Sequence, residues 1–189
     1  MKNIPFLLVY SRIVIALVIG VITWSGFPNT PILVVAFMTI GLITDVLDGV
    51  IARLLGVATE KLRVWDSNAD QFFWIIVIGC VFYINGSFIR QHYFPVVIIL
   101  ILETSAYLIS YLKFRRTIAT HSYMAKFWTL TMLAFLIDLT LHSQSTITFK
   151  ICVLFGIISR IEIILIIWRL KSWATDVPSL LAVRKINKR

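Results

Sequence analysis

Negative charge is scarce in this chain: nine of its 189 residues are acidic, against eighteen lysines and arginines. Charged residues of both signs make up only 14%, hydrophobic residues make up 59%, and mean hydropathy is +0.92. A soluble domain of this size carries more charge, so the composition excludes one and indicates a membrane protein. Cysteine is nearly absent too. Cys80 and Cys152 lie inside apolar runs with no CxxC, which argues against a disulfide scaffold or thiolate metal centre and leaves buried thiols acting as small apolar side chains. His92, His121 and His142 are scattered over loops and helix ends without metal-ligand spacing. Linkers, low-complexity tracts and internal repeats are also missing, which predicts one helical domain.

Six apolar runs remain, each near the ~20 residues that cross a bilayer: Phe6 to Trp24, Ile32 to Leu55, Trp65 to Tyr83, Tyr93 to Leu112, Met124 to Leu141 and Phe149 to Leu170. They predict an all-α polytopic membrane protein with six transmembrane helices. The first run is expected to be retained. It is long, only Lys2 precedes it, and no small-x-small pattern follows in "VITWSGFPNTP". "FPNTP" and "YINGS" read as turns. A transmembrane domain over residues 1–170 is expected, followed by a basic tail, 171–189, whose Trp173, Leu180, Leu181 and Val183 suit a short helix on an anionic membrane surface.

The net charge of +9 does not indicate nucleic acid, because the basic residues follow the loops. With six helices, one side receives both termini together with Arg53, Lys61, Arg63, Lys113, Arg115, Arg116, Lys126, Arg169 and Lys171. The opposite loops hold only Arg90 and Lys150. That asymmetry predicts cytoplasmic termini.

The scarce acidic residues are concentrated on the same side. In "DVLDGVIARLLGVATEKLRVWDSNAD", Asp45 and Asp48 stand three apart, and Asp66 and Asp70 four apart, so each pair shares one face of its helix. The connection from Gly49 to Trp65 is expected to let two helix ends stand side by side, so that four carboxylates converge. From Ile32 to Asp45 a helix rises only roughly 20 Å, against a hydrocarbon core of about 30 Å. The aspartates are therefore expected below the membrane surface. Uncompensated carboxylates there would repel one another or take up protons. Two Mg²⁺ or Mn²⁺ ions, which prefer carboxylate oxygens and share substrate phosphates, would resolve this. Gly49 and Ala52 leave a small patch for close approach, and Arg53 has the donor fork for a phosphate. Taken singly, each of these three has a plainer reading in helix packing or in the positive-inside bias.

The pattern D45-x2-D48-G49-x2-A52-R53 followed by D66-x3-D70 resembles the signature of the CDP-alcohol phosphatidyltransferase family, with which the six-helix plan agrees. The resemblance implies transfer of a phosphatidyl group from CDP-diacylglycerol to an alcohol, with release of CMP. It implies that Asp45, Asp48, Asp66 and Asp70 hold two divalent ions around the donor's diphosphate. By the same likeness Asp48, Gly49, Ala52 and Arg53 receive the nucleotide, Asp70 is the general base, and the protein is a homodimer. Leu62 stands where the family pattern has its second glycine, which adds bulk beside the site.

"NIPFLLVYSR", Asn3 to Arg12, resembles the opening of bacterial phosphatidylglycerophosphate synthases and favours glycerol 3-phosphate as acceptor. "SYLKFRR", Ser110 to Arg116, resembles a stretch of phosphatidylinositol and phosphatidylinositol-phosphate synthases, which is the alternative. Lys113, Arg115, Arg116 and Lys126, with Arg63, are the candidates for a basic acceptor pocket. An inactive family member and a small ion-coupled transporter are the rivals, although a transporter leaves Gly49, Ala52 and Arg53 without a task. Intramembrane prenyltransferases fit less well, since the last four helices contain no second aspartate cluster. Glu103, Arg160 and Glu162 also fall within apolar runs. Arg160 and Glu162 point to different faces, so each is expected to pair with another helix. Asp138 is expected at the membrane interface.

Overall fold

The computed structural model describes residues 4–54, 60–116, 122–174 and 177–187, with the side chains of 4, 5, 52, 53 and 60–63 outside the description. Among the described residues eight helices follow in order: α1 (Ile4–Ser25), α2 (Thr30–Leu54), α3 (Glu60–Ile84), α4 (Gly86–Gln91), α5 (Tyr93–Phe114), α6 (Tyr123–His142), α7 (Ile147–Arg169) and α8 (Val183–Ile186). No strand occurs among the described residues. Six of the helices, α1, α2, α3, α5, α6 and α7, are long and apolar enough to cross a membrane. The chain is an all-α integral membrane protein, and the spans match the apolar runs.

Three local details differ from the sequence reading. The connection between the aspartate pairs is shorter than expected, because α2 continues to Leu54 and α3 already begins at Glu60. Nothing between Gly49 and Leu54 stops a helix, since the leucine, alanine and arginine there are good helix formers and a single glycine is tolerated. The aspartates therefore lie inside helices, not at their ends. The "NGS" turn contains the short helix α4. Among the described residues of the tail, only Val183–Ile186 is helical. There Val177 and Val183 are buried with Ile166 and Leu170, so the tail packs on the end of α7.

The described chain forms two compact units. The first comprises Met1–Ile89 with Leu136–Gln144, and the second Arg90–Phe135 with Ser145–Arg189. In the first unit α1 lies between α2 and α3, which meet each other far less. Its buried residues, Val9, Arg12, Ala16, Ile19 and Thr23, recur every three or four positions and make one seam. Opposite stand Val34 and Met38 of α2 and Ala69, Phe73, Val77 and Val81 of α3. Gly26, at φ +63, provides the left-handed residue that ends α1. Thr30 then accepts the turn into α2, its Oγ1 donating to the Phe27 carbonyl at 2.7 Å. Further along α2, Gly41 lets the Phe73 ring lie directly on its backbone, where any Cβ would overlap the ring. Small residues at such crossings are how membrane helices reach close packing without a hydrophobic driving force between them.

The second unit is built on α5 against α7. Ala106 packs on Ile163 and Ile167. Gly156 of α7 makes room for the Trp128 indole, whose Nε1 would lie 2.7 Å from a Cβ at that position. Lys113 donates from Nζ to the carbonyls of Ile167 at 3.0 Å and Trp168 at 2.6 Å, satisfying acceptors that the end of α7 leaves unpaired.

Gly41→Val should destabilise the protein by about 1–3 kcal/mol through overpacking against Phe73. Thermal unfolding in detergent checks this, and in a Phe73→Ala background the same substitution should cost distinctly less.

Candidate active site

Helical spacing puts Asp45 and Asp48 on one face of α2, and Asp66 and Asp70 on one face of α3. The two faces converge on a residue of α1, Arg12. Its Nη1 donates to Asp45 Oδ1 at 2.8 Å and also pairs with Asp70 Oδ1. Its Nη2 donates to Asp66 Oδ1 at 2.8 Å and also to Asp48 Oδ2. One guanidinium thus meets all four carboxylates.

Burial is uneven across the group. The side chains of Arg12 and Asp48 are 1% and 4% exposed, whereas those of Asp45, Asp66 and Asp70 are 31%, 22% and 24% exposed. The cluster has a closed floor and an accessible rim. Among the described residues Arg12 supplies a single positive charge against four carboxylates, so ionised aspartates leave a surplus of negative charge inside a membrane span. Such a surplus is unstable without a further cation.

The donor set fits a hard divalent ion. Carboxylate oxygens of Asp45, Asp48 and Asp66 all lie within 4.8 Å of one another. Oxygens about 2.1 Å from a shared Mg²⁺ would stand roughly 3–4 Å apart, so small side-chain adjustments bring all three to one ion. Asp70 Oδ1 adjoins them through Arg12 Nη1.

The other residues singled out from sequence have varied settings. Gly49 is half-buried on α2, next to Asp48. Residues 52 and 53 continue α2, and residue 63 lies in α3, but the side chains of Ala52, Arg53 and Arg63, like that of Leu62, are outside the described residues. Lys113, Arg115, Arg116 and Lys126 belong to the second unit. Lys113 is engaged with the end of α7, as above. Arg115 closes α5 at φ 55, its backbone N–H donating to the Tyr111 carbonyl at 2.9 Å. The Arg116 guanidinium stacks over the Trp173 ring at 4.7 Å. Lys126 is exposed on the first turn of α6.

Arg12 ends the stretch "NIPFLLVYSR" but is not among the site residues expected from sequence. The signal for it was nonetheless present, as a lone arginine inside the first apolar run, where an ionisable side chain points to function or to a buried partner. In the second unit the expected pairing of Arg160 is found. Its Nη1 meets Glu103 Oε2 at 2.6 Å, and its guanidinium lies 4.4 Å from the Trp128 ring centre. Glu162 Oε2 is buried without a hydrogen bond among the described residues. Asp138 pairs with His142 one turn on, at 2.9 Å.

The family model for CDP-alcohol phosphatidyltransferase matches residues 2–169. No curated protein and no solved structure matches the chain. The chain belongs to the CDP-alcohol phosphatidyltransferase family, whose members are enzymes that move a phosphatidyl group from a CDP-alcohol to an acceptor and release CMP. Members generally depend on a divalent metal, which agrees with the donor set above.

Asp48→Asn and Asp66→Asn should each weaken Mn²⁺ binding by more than the roughly 10–100-fold typical for residues that merely support a metal ligand. Mn²⁺ titration followed by electron paramagnetic resonance measures the loss directly.

Proposed function

We propose that this enzyme transfers the phosphatidyl group of CDP-diacylglycerol to glycerol 3-phosphate, giving phosphatidylglycerophosphate and CMP. The observation that carries the reading is the meeting of four carboxylates, from α2 and α3, inside membrane-spanning helices. A site at that level suits a donor whose two acyl chains stay in the bilayer while its diphosphate faces the aspartates.

In this reading Asp45, Asp48, Asp66 and Asp70 hold two Mg²⁺ or Mn²⁺ ions. Bound there, the ions would neutralise the diphosphate and the charge developing on CMP. Asp48, Gly49, Ala52 and Arg53 receive the nucleotide, with the small side chains admitting it and the guanidinium pairing with phosphate. Asp70 accepts the proton of the acceptor hydroxyl as that oxygen attacks the phosphorus bearing the diacylglycerol. The bond from this phosphorus to the oxygen bridging the diphosphate breaks, and CMP leaves with that oxygen. Arg63, Lys113, Arg115, Arg116 and Lys126 are the candidate cations for the acceptor phosphate. The basic asymmetry of the loops supports a cytoplasmic site, and the likeness of "NIPFLLVYSR" to bacterial synthases supports a bacterial inner membrane. The enzyme is proposed to act as a homodimer.

The acceptor rests on "NIPFLLVYSR". A second reading, with inositol 1-phosphate or inositol as acceptor, is favoured by "SYLKFRR", whose Lys113 and Arg115 stand in the basic positions of that motif. The experiment is CMP release by protein in liposomes with CDP-diacylglycerol and Mg²⁺, offered glycerol 3-phosphate, inositol 1-phosphate, inositol or serine. Release is expected with glycerol 3-phosphate and should fall by about 100-fold or more in Asp70→Asn. Release with an inositol acceptor alone would transfer the assignment to the second reading. Silence with all four, from protein that binds CDP-diacylglycerol, would point to the bulk of Leu62.

A further inference from the structure

Arg12 has no role in the reading above, yet it touches every aspartate in it. Its side chain is 1% exposed, so water does not hydrate the guanidinium. Its compensation among the described residues comes from the four carboxylates. Both terminal nitrogens are engaged, each with one carboxylate of α2 and one of α3. The remaining donor, Nε–H, is buried and has no hydrogen-bond partner among the described residues. Among the described residues, nothing but the aspartates anchors this charge.

Those same aspartates include the three whose oxygens lie close enough to share one ion. A divalent cation among them would meet the guanidinium at contact range, where two positive charges in a poorly solvated setting repel strongly. The ion must push the guanidinium aside or share its oxygens with it, and either course weakens binding. A guanidinium held, among the described residues, only through the carboxylates is also one that can be displaced, since no other described hydrogen bond has to break.

We infer that Arg12 is the resident cation of the aspartate cluster, holding α2 and α3 to α1 and competing with divalent ions for the same carboxylates. The inference rests on the divalent-ion reading of the site. The arginine lowers metal affinity while keeping four like charges assembled between additions of metal. Displaced by an ion, Arg12 still requires an anion, because a buried unpaired charge is costly. Its open Nε–H adds donor capacity toward one.

The test compares full-length wild type, Arg12→Gln and Arg12→Lys, purified in detergent and stripped with chelator. Mn²⁺ binding is followed by electron paramagnetic resonance, and thermal unfolding is recorded with and without Mn²⁺. Arg12→Gln should bind Mn²⁺ at least about tenfold more tightly than wild type, melt lower without the ion, and gain more on adding it. Arg12→Lys, whose compact ammonium spans fewer carboxylates, should fall between. Equal or weaker Mn²⁺ binding in Arg12→Gln, with normal binding in wild type, overturns the competition and leaves the metal site standing. If Arg12→Gln yields no folded protein, Arg12→Lys decides, and an affinity no tighter than wild type overturns it. Absence of Mn²⁺ binding in all three proteins overturns the divalent-ion reading and this inference together.

Discussion

The guanidinium of Arg12 sets the terms for the first unit. Four carboxylates from two helices meet it within a membrane-spanning layer, where water is a poor source of compensation. Two like charges about 4 Å apart repel by roughly 4 kcal/mol at an effective dielectric near 20. Several such pairs would drive α2 and α3 apart. A planar cation with two terminal nitrogens can face both helices at once, which a lysine ammonium does less well. Placing that cation on α1 requires α1 to lie between the aspartate helices, and there it lies.

Packing and electrostatics therefore demand the same arrangement. The seam that buries Val9, Ala16 and Ile19 carries Arg12 in register, so apolar contact along α1 delivers the charge to one place. Contact of Phe73 with the Gly41 backbone sets the approach of α2 to α3 one helical turn from Asp45. A site whose ligands come from separate helices tolerates little looseness, because a shift of about 1 Å spoils metal or substrate geometry. Rigid helices, not loops, hold these carboxylates.

The second unit offers an instructive contrast. Arg160 and Glu103 are also charges inside spans, but they pair one to one, and the Trp128 face covers the guanidinium. That pair balances its own charge without any ligand. In the aspartate cluster one cation among the described residues faces four anions, and three of the acidic side chains remain partly accessible. The imbalance, more than the presence of charge in the membrane, distinguishes a ligand-binding site from a structural ion pair.

Much of this protein was legible in its sequence. Apolar runs near the bilayer thickness determine six spans, because a backbone in lipid has to satisfy its own hydrogen bonds. The spacing of Asp45, Asp48, Asp66 and Asp70 determines which helix faces carry carboxylate, since helical periodicity is local. The same spacing with Gly49, Ala52 and Arg53 carried the family resemblance that the match over residues 2–169 bears out. Periodicity does not say which helix stands opposite a given face. That Arg12 closes the cluster, that Glu103 is the partner of Arg160, and that Lys113 serves the end of α7 were settled by tertiary packing alone. Partners 33 to 58 residues apart meet because helices α1, α2 and α3, and α5 and α7, bury particular seams against each other. Local sequence determines the charge on each face, and the fold decides what compensates it.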